Sequence, residues 1–160
     1  MKKVEITSVL EVYDSCDELE GNVQQLMKEA TLIRDKAYAP YSSFLVGAAL
    51  LLENGEVVLG NNQENACYPS GLCAERTAIY AAGANFPKVA IVAMAITAKS
   101  LHNVLLTPVP PCGACRQSIA EYELRQKRPI AIYFMGEKGK VVKSSSLENI
   151  LPFTFDNSYL

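Results

Sequence analysis

The stretch LVGAALLLENGEVVLG, residues 45–60, consists of two apolar runs joined by Asn54-Gly55. Leu45 to Leu52 has strand length, Val57 to Gly60 is its natural partner, and an Asn-Gly pair between apolar runs is a strong hairpin signal. Upstream, Val23, Leu26, Met27, Ala30, Ile33 and Ala37 recur at helical spacing. This predicts a helix with Asn22 as its N-cap and Pro40 beyond its end. Residues 3 to 14 alternate in part and read as a short strand or an extended arm. Downstream, the polar segment Asn61 to Leu72 leads into Cys73 to Ala84, an Ala-rich helical stretch. Val89 to Thr97 is the most apolar strand candidate, fit for the centre of a sheet. A loop crowded with Pro108, Pro110 and Pro111 precedes a helix from Cys112 to about Leu124. Ile130 to Phe134 reads as a further strand, and Ser146 to Leu151 as a short helix before an aromatic tail. Hairpin, helix, strand, helix and strand, in that order, describe an α/β layer protein. With no internal repeat and no linker, 160 residues are expected to form one domain, 1–160, in which 1–21 is an N-terminal extension.

Fifteen Lys and Arg against 17 Asp and Glu give a net charge of −2. A protein that clamps long nucleic acid usually carries a basic excess to neutralise phosphates, so a small ligand is the better expectation. A hydrophobic content of 49% with 20% charged residues excludes a disordered chain. Glu5, Ser8, Glu11 and Asp14 interrupt any apolar stretch behind Lys2 and Lys3, and Val89 to Ala98 is about half a membrane span. A cytoplasmic location follows as an expectation, with no membrane partner and with the five cysteines kept as thiols.

Two short strings carry the chemistry: Cys73-Ala74-Glu75-Arg76 and Pro111-Cys112-Gly113-Ala114-Cys115-Arg116. Each begins where a loop becomes a helix, and a thiol there faces unpaired backbone N–H groups that favour thiolate. Cys112 and Cys115 share one helical face and can hold a single ion, with Cys73 as a third sulfur from the other helix. Thiolates select zinc among the common cytosolic metals. Three protein ligands leave an open position, the catalytic rather than the structural arrangement. Cys67 lies six residues before Cys73, so a closed site of four thiolates stays open as an alternative. Glu75 is either an ordinary first-turn acid that complements the helix dipole or a carboxylate placed to move protons beside the metal.

Cys73-x-Glu75 followed by Pro111-Cys112-x-x-Cys115 resembles the signature of the zinc deaminases of nucleobases, in its three-cysteine form. The likeness extends to Tyr38-Ala39-Pro40-Tyr41-Ser42-Ser43-Phe44, Val46-Gly47-Ala48-Ala49, Asn62-Gln63-Glu64-Asn65-Ala66 and Leu151-Pro152-Phe153-Thr154-Phe155. Across residues 23 to 155 the chain resembles the small homotetrameric cytidine deaminases of pyrimidine salvage. The resemblance implies a three-layer α/β/α fold with one mixed sheet and helices on both faces. It implies one zinc per chain on Cys73, Cys112 and Cys115, with Glu75 as the acid and base. Arg76 would hydrogen-bond the ligand sulfurs, with Arg116 a weaker candidate for that duty. Asn62 and Glu64 would read the ribose hydroxyls, Phe44 would pack on the pyrimidine, and N–H groups around Ala74 would suit the base O2. Phe155 would reach a neighbouring subunit's site, which makes a homotetramer the expected assembly. The implied reaction is hydrolysis of cytidine and 2′-deoxycytidine to uridine and 2′-deoxyuridine plus ammonia. Three rival readings are a deaminase of nucleic-acid cytosine, a deaminase of a modified nucleoside, and a zinc-stabilised module without catalysis. His102 reads as a surface loop residue, Cys16 as an inert thiol, and Tyr68 as a residue of the site's entrance.

Overall fold

The computed structural model describes residues 1–160. In chain order its regular elements are β1 (Glu11–Tyr13), α1 (Gly21–Arg34), β2 (Phe44–Leu52), β3 (Val57–Asn61), α2 (Ala74–Asn85), β4 (Ile91–Ser100), α3 (Gly113–Gln126), β5 (Ala131–Met135) and β6 (Val141–Ser144). All six strands join one sheet in the order β1-β6-β5-β4-β2-β3. Only β4 and β5 run parallel, and α3 is the crossover that a parallel pair requires.

Alternation along the strands divides the core. Ala48, Leu50 and Leu52 of β2, Met94 and Ile96 of β4, and Ile132 and Phe134 of β5 face one side, where they pack with Ala78, Ile79 and Ala82 of α2 and Ile119 of α3. Ala49, Ala93, Ala95, Tyr133 and Met135 face the other side and meet Val23, Leu26, Met27 and Ala30 of α1. The result is the expected mixed sheet between helical layers. Small residues dominate the α1 face of the strands, so α1 lies close on the sheet. Burying each Leu or Ile of these clusters contributes about 1.5–3 kcal/mol.

Some boundaries differ from the sequence reading. Helix α1 begins at Gly21 after Glu20, and Asn22 lies inside it, its side-chain Oδ1 accepting from the adjacent Val23 N–H at 2.9 Å. The same helix stops at Arg34, three residues before Ala37. Strand β6 was not foreseen, and of Ser146 to Leu151 only Leu147–Asn149 forms a 3₁₀ turn. From residues 3 to 14, Glu11–Tyr13 pairs antiparallel with β6. The hairpin stands as read: Gly55 takes φ 87° in the turn, and its N–H donates to the Leu52 carbonyl at 3.0 Å.

One glycine sets the height of α2 above the sheet. A Cβ on Gly60 of β3 would stand 2.5 Å from both the Ala74 carbonyl oxygen and the Ala78 nitrogen. Backbone meets backbone there, so no side-chain rotation can relieve the clash. Gly60→Ala is expected to lift the start of α2 and to cost about 1–3 kcal/mol, the usual range for overpacking. Thermal denaturation of the variant beside the parent measures the loss.

Candidate active site

Cys73 is the N-cap of α2 and Cys112 the N-cap of α3, with Cys115 in the first turn of α3. Neither N-cap thiol caps a backbone N–H of its own helix, so neither sulfur is spent on the helix backbone. The Sγ atoms of Cys73 and Cys112 are 3.9 Å apart, those of Cys112 and Cys115 are 3.4 Å apart, and all three lie within 4.8 Å of one another. Sulfurs bound at 2.3 Å to a tetrahedral zinc stand about 3.8 Å apart, so this triangle fits zinc. Cys67 is exposed and is not among the clustered thiols, so the geometry favours three sulfurs over the four-thiolate alternative.

The Cys73 thiol is pulled down to about 5, first by the neighbouring Cys115 thiol and then by Arg76, whose Nη2 is 3.8 Å from its sulfur. Cys115 is pushed up by that same Cys73 thiolate and by burial. Negative charge on one sulfur thus opposes charge on the next, and a dication in the triangle removes the obstacle. Glu75, in the first turn of α2, is 4% exposed, and burial raises its carboxyl above the ordinary range. Arg116 does not touch the sulfurs. Its Nε donates to the Pro111 carbonyl at 2.8 Å and its Nη1 to the Ile150 carbonyl at 3.0 Å, so it ties the Pro-rich loop to the tail.

A 620 Å³ cavity opens beside the triangle, with Cys73, Cys112, Glu75 and Arg76 in its wall. Phe44, Asn62 and Glu64 line it too, so these three sequence-predicted residues share the wall with the first string. Asn62 and Glu64 are two apart on an extended segment, which places them on one side. That segment is held from both flanks. Tyr38 N–H donates to the Asn62 carbonyl at 3.0 Å, and Gln63 and Leu72 exchange backbone bonds of 2.9 and 3.0 Å. The Asn62 amide is partly spent on β2, accepting from Val46 N–H at 2.8 Å and donating to the Phe44 carbonyl at 2.9 Å. Glu64 accepts from the Ser42 hydroxyl, from Tyr41 N–H at 2.9 Å and from Ser42 N–H at 3.3 Å; the Ser42 hydroxyl, foremost, holds its carboxyl below the usual range.

Ala74 is fully buried at the start of α2 and is not part of the wall. Phe155 is also outside the wall: it is exposed, stacks on Tyr159 at 5.7 Å, and its carbonyl accepts from Gln117 Nε2 at 2.8 Å. Tyr68 lines the cavity as expected, and His102 is an exposed loop residue. Cys16 is half-buried, 3.5 Å from the Met135 sulfur. The sequence reading missed Ser42, Val109 and Pro110 as wall residues. Val109 and Pro110 were visible only as a loop, and their place beside the first string depends on the fold.

Residues 21–130 match the family model described as the cytidine and deoxycytidylate deaminase zinc-binding region. Among curated relatives, the cytidine deaminase of Halalkalibacterium halodurans is 50% identical over 98 residues, which are 61% of this chain and 70% of that protein. The cytidine deaminase of Sporosarcina psychrophila is 37% identical over 139 residues, 87% of this chain and 95% of that one. The crystal structure of cytidine deaminase from Burkholderia pseudomallei superposes with a TM-score of 0.70 at 37% identity, over 82% of this chain and 97% of that one.

Cys112→Ala should lose tight zinc binding, whereas Cys67→Ala should keep the metal content of the parent. Zinc per chain, measured by elemental analysis of the purified proteins, separates three ligands from four.

Proposed function

Because the chain belongs to the cytidine and deoxycytidylate deaminase family, we propose that it hydrolyses cytidine and 2′-deoxycytidine to uridine and 2′-deoxyuridine with release of ammonia. The observation that carries this reading is Glu75, a buried carboxyl in the same cavity wall as Cys73 and Cys112. One zinc per chain, held by Cys73, Cys112 and Cys115, would supply a Lewis acid that brings the pKa of water toward neutrality.

The residues of the chain do the rest. Glu75 takes a proton from the attacking water and delivers it to ring N3, which makes C4 electrophilic. The water oxygen bonds to C4, and Glu75 carries that oxygen's second proton to the amino nitrogen. The C4–N bond then breaks, ammonia leaves, and the ring keeps a C4 carbonyl and a proton on N3. Burial suits Glu75 to this work, since raising the carboxyl above its ordinary range brings it nearer the operating pH, where one group can serve as base and then as acid. Three thiolates and a dication sum to −1, and Arg76 beside Cys73 offsets part of that charge.

Phe44 packs on the pyrimidine, and N–H groups around Ala74 at the helix start hold O2. Asn62 and Glu64 take the ribose hydroxyls. The Asn62 amide retains one N–H and one lone pair beyond its bonds to β2, enough to meet a hydroxyl both ways. The exposed Phe155 is the group that one copy offers to the cavity of another in a homotetramer. On this reading the protein is one domain, 1–160 with 1–21 as an extension, and works in the cytoplasm in pyrimidine salvage. The net charge of −2 favours a free nucleoside over a polynucleotide.

Ammonia release should be fast with cytidine and 2′-deoxycytidine and slow with free cytosine or a cytidine-containing oligonucleotide; equal turnover of free cytosine would remove the case for ribose contacts. Glu75→Gln is expected to keep its zinc and to lose about 10²–10⁴ in kcat, the range for a general acid-base group. A Glu75→Gln variant with full kcat overturns the mechanism.

A further inference from the structure

The turn that precedes β2 contains a side chain to which the proposed chemistry assigns no part. Ser42 is exposed on the cavity wall and packs into no core cluster. Its hydroxyl nevertheless makes two directed bonds, donating to Glu64 Oε1 and accepting from the Phe44 backbone N–H at 3.1 Å. The other carboxylate oxygen of Glu64 accepts the backbone N–H groups of Tyr41 and Ser42. Three of the roughly four acceptor positions of a carboxylate are therefore filled from one turn, and one is left on a residue that lines the cavity.

The turn itself is held in an unusual conformation. Ser43 takes φ 53°, a left-handed value uncommon for a residue with a side chain, and its N–H donates to the Ala39 carbonyl at 3.1 Å. Its carbonyl accepts from Leu101 N–H at 2.9 Å, which ties the turn to the end of β4. Ser42 thus stands on a fixed base and joins the start of β2, where Phe44 sits, to the carboxylate of Glu64.

We propose that Ser42 is a positioning residue for substrate binding: its hydroxyl, fixed by the Phe44 N–H, orients the Glu64 carboxylate so that one acceptor position meets one sugar hydroxyl. This rests on Glu64 as the ribose carboxylate. Without the Ser42 hydroxyl, Oε1 loses its partner and the carboxylate samples orientations that do not meet the sugar.

The test is a double-mutant cycle on the zinc-loaded protein, with KM and kcat measured for cytidine in the parent, Ser42→Ala, Ser42→Thr, Glu64→Ala and Ser42→Ala/Glu64→Ala. Ser42→Ala should raise KM about tenfold, the effect of one hydrogen bond to a charged group, with a much smaller change in kcat. Ser42→Thr, which keeps the hydroxyl, should recover most of the loss. The double variant should match Glu64→Ala alone, because Ser42 acts only through Glu64. Additive losses, an unchanged KM in Ser42→Ala, or a Ser42→Thr as poor as Ser42→Ala would each overturn the proposal. An unchanged KM in Glu64→Ala overturns instead the reading of Glu64 on which the proposal stands, so the two failures are told apart.

Discussion

Two helix starts have to meet for this molecule to hold its three thiols together, and the close seat of α2 on β3 at Gly60 permits it. Cys73 and Cys112 occupy equivalent places, each the last non-helical residue before a helix. Each sulfur therefore lies at the start of a helix, where backbone N–H groups lack intrahelical partners. The parallel pair β4–β5, with α3 crossing between them, brings the second helix to the same sheet face as α2. Fold and site are in this sense one arrangement, since the sheet order determines which two loops lie side by side.

Burial then divides the charged groups by task. Glu75 is almost fully enclosed, and its pKa rises because water is excluded from it. Glu64, more open and fed by three donors from one turn, is held in its ionised form. Two carboxyl groups in one cavity wall are thus tuned in opposite directions, by desolvation for one and by hydrogen bonds for the other. The first suits a group that must gain and lose a proton, the second a group that must remain an acceptor.

Much of this was legible in the residues. The Asn54-Gly55 hairpin, the helices opening at Cys73 and Cys112, and the apolar β4 follow from local periodicity and turn chemistry, and the thiol triangle follows from two short strings. What was hidden depends on partners distant in sequence. Strand β6 is four residues long and half-polar, so it exists because β5 and β1 flank it. Asn22 looks like a cap, yet the helix starts a turn's fraction earlier because capping depends on backbone angles that the residue type only biases. Ser42 could not be singled out among three adjacent polar and aromatic residues, since its importance lies in a bond to a residue 22 positions away.

The short strand β1 bears on a different hazard. Without a neighbour, β6 would be the margin of the sheet, with a row of free N–H and C=O groups able to recruit a strand from another molecule. Residues Glu11 to Tyr13 cover that margin, and the Glu11 carboxylate is fastened to Lys143 of β6 at 2.8 Å. The outermost strand on that side is thus only three residues long and carries a charged side chain, and short, charged edges disfavour further stacking of β-structure. The amino-terminal segment thereby replaces a four-residue sheet margin with a three-residue one.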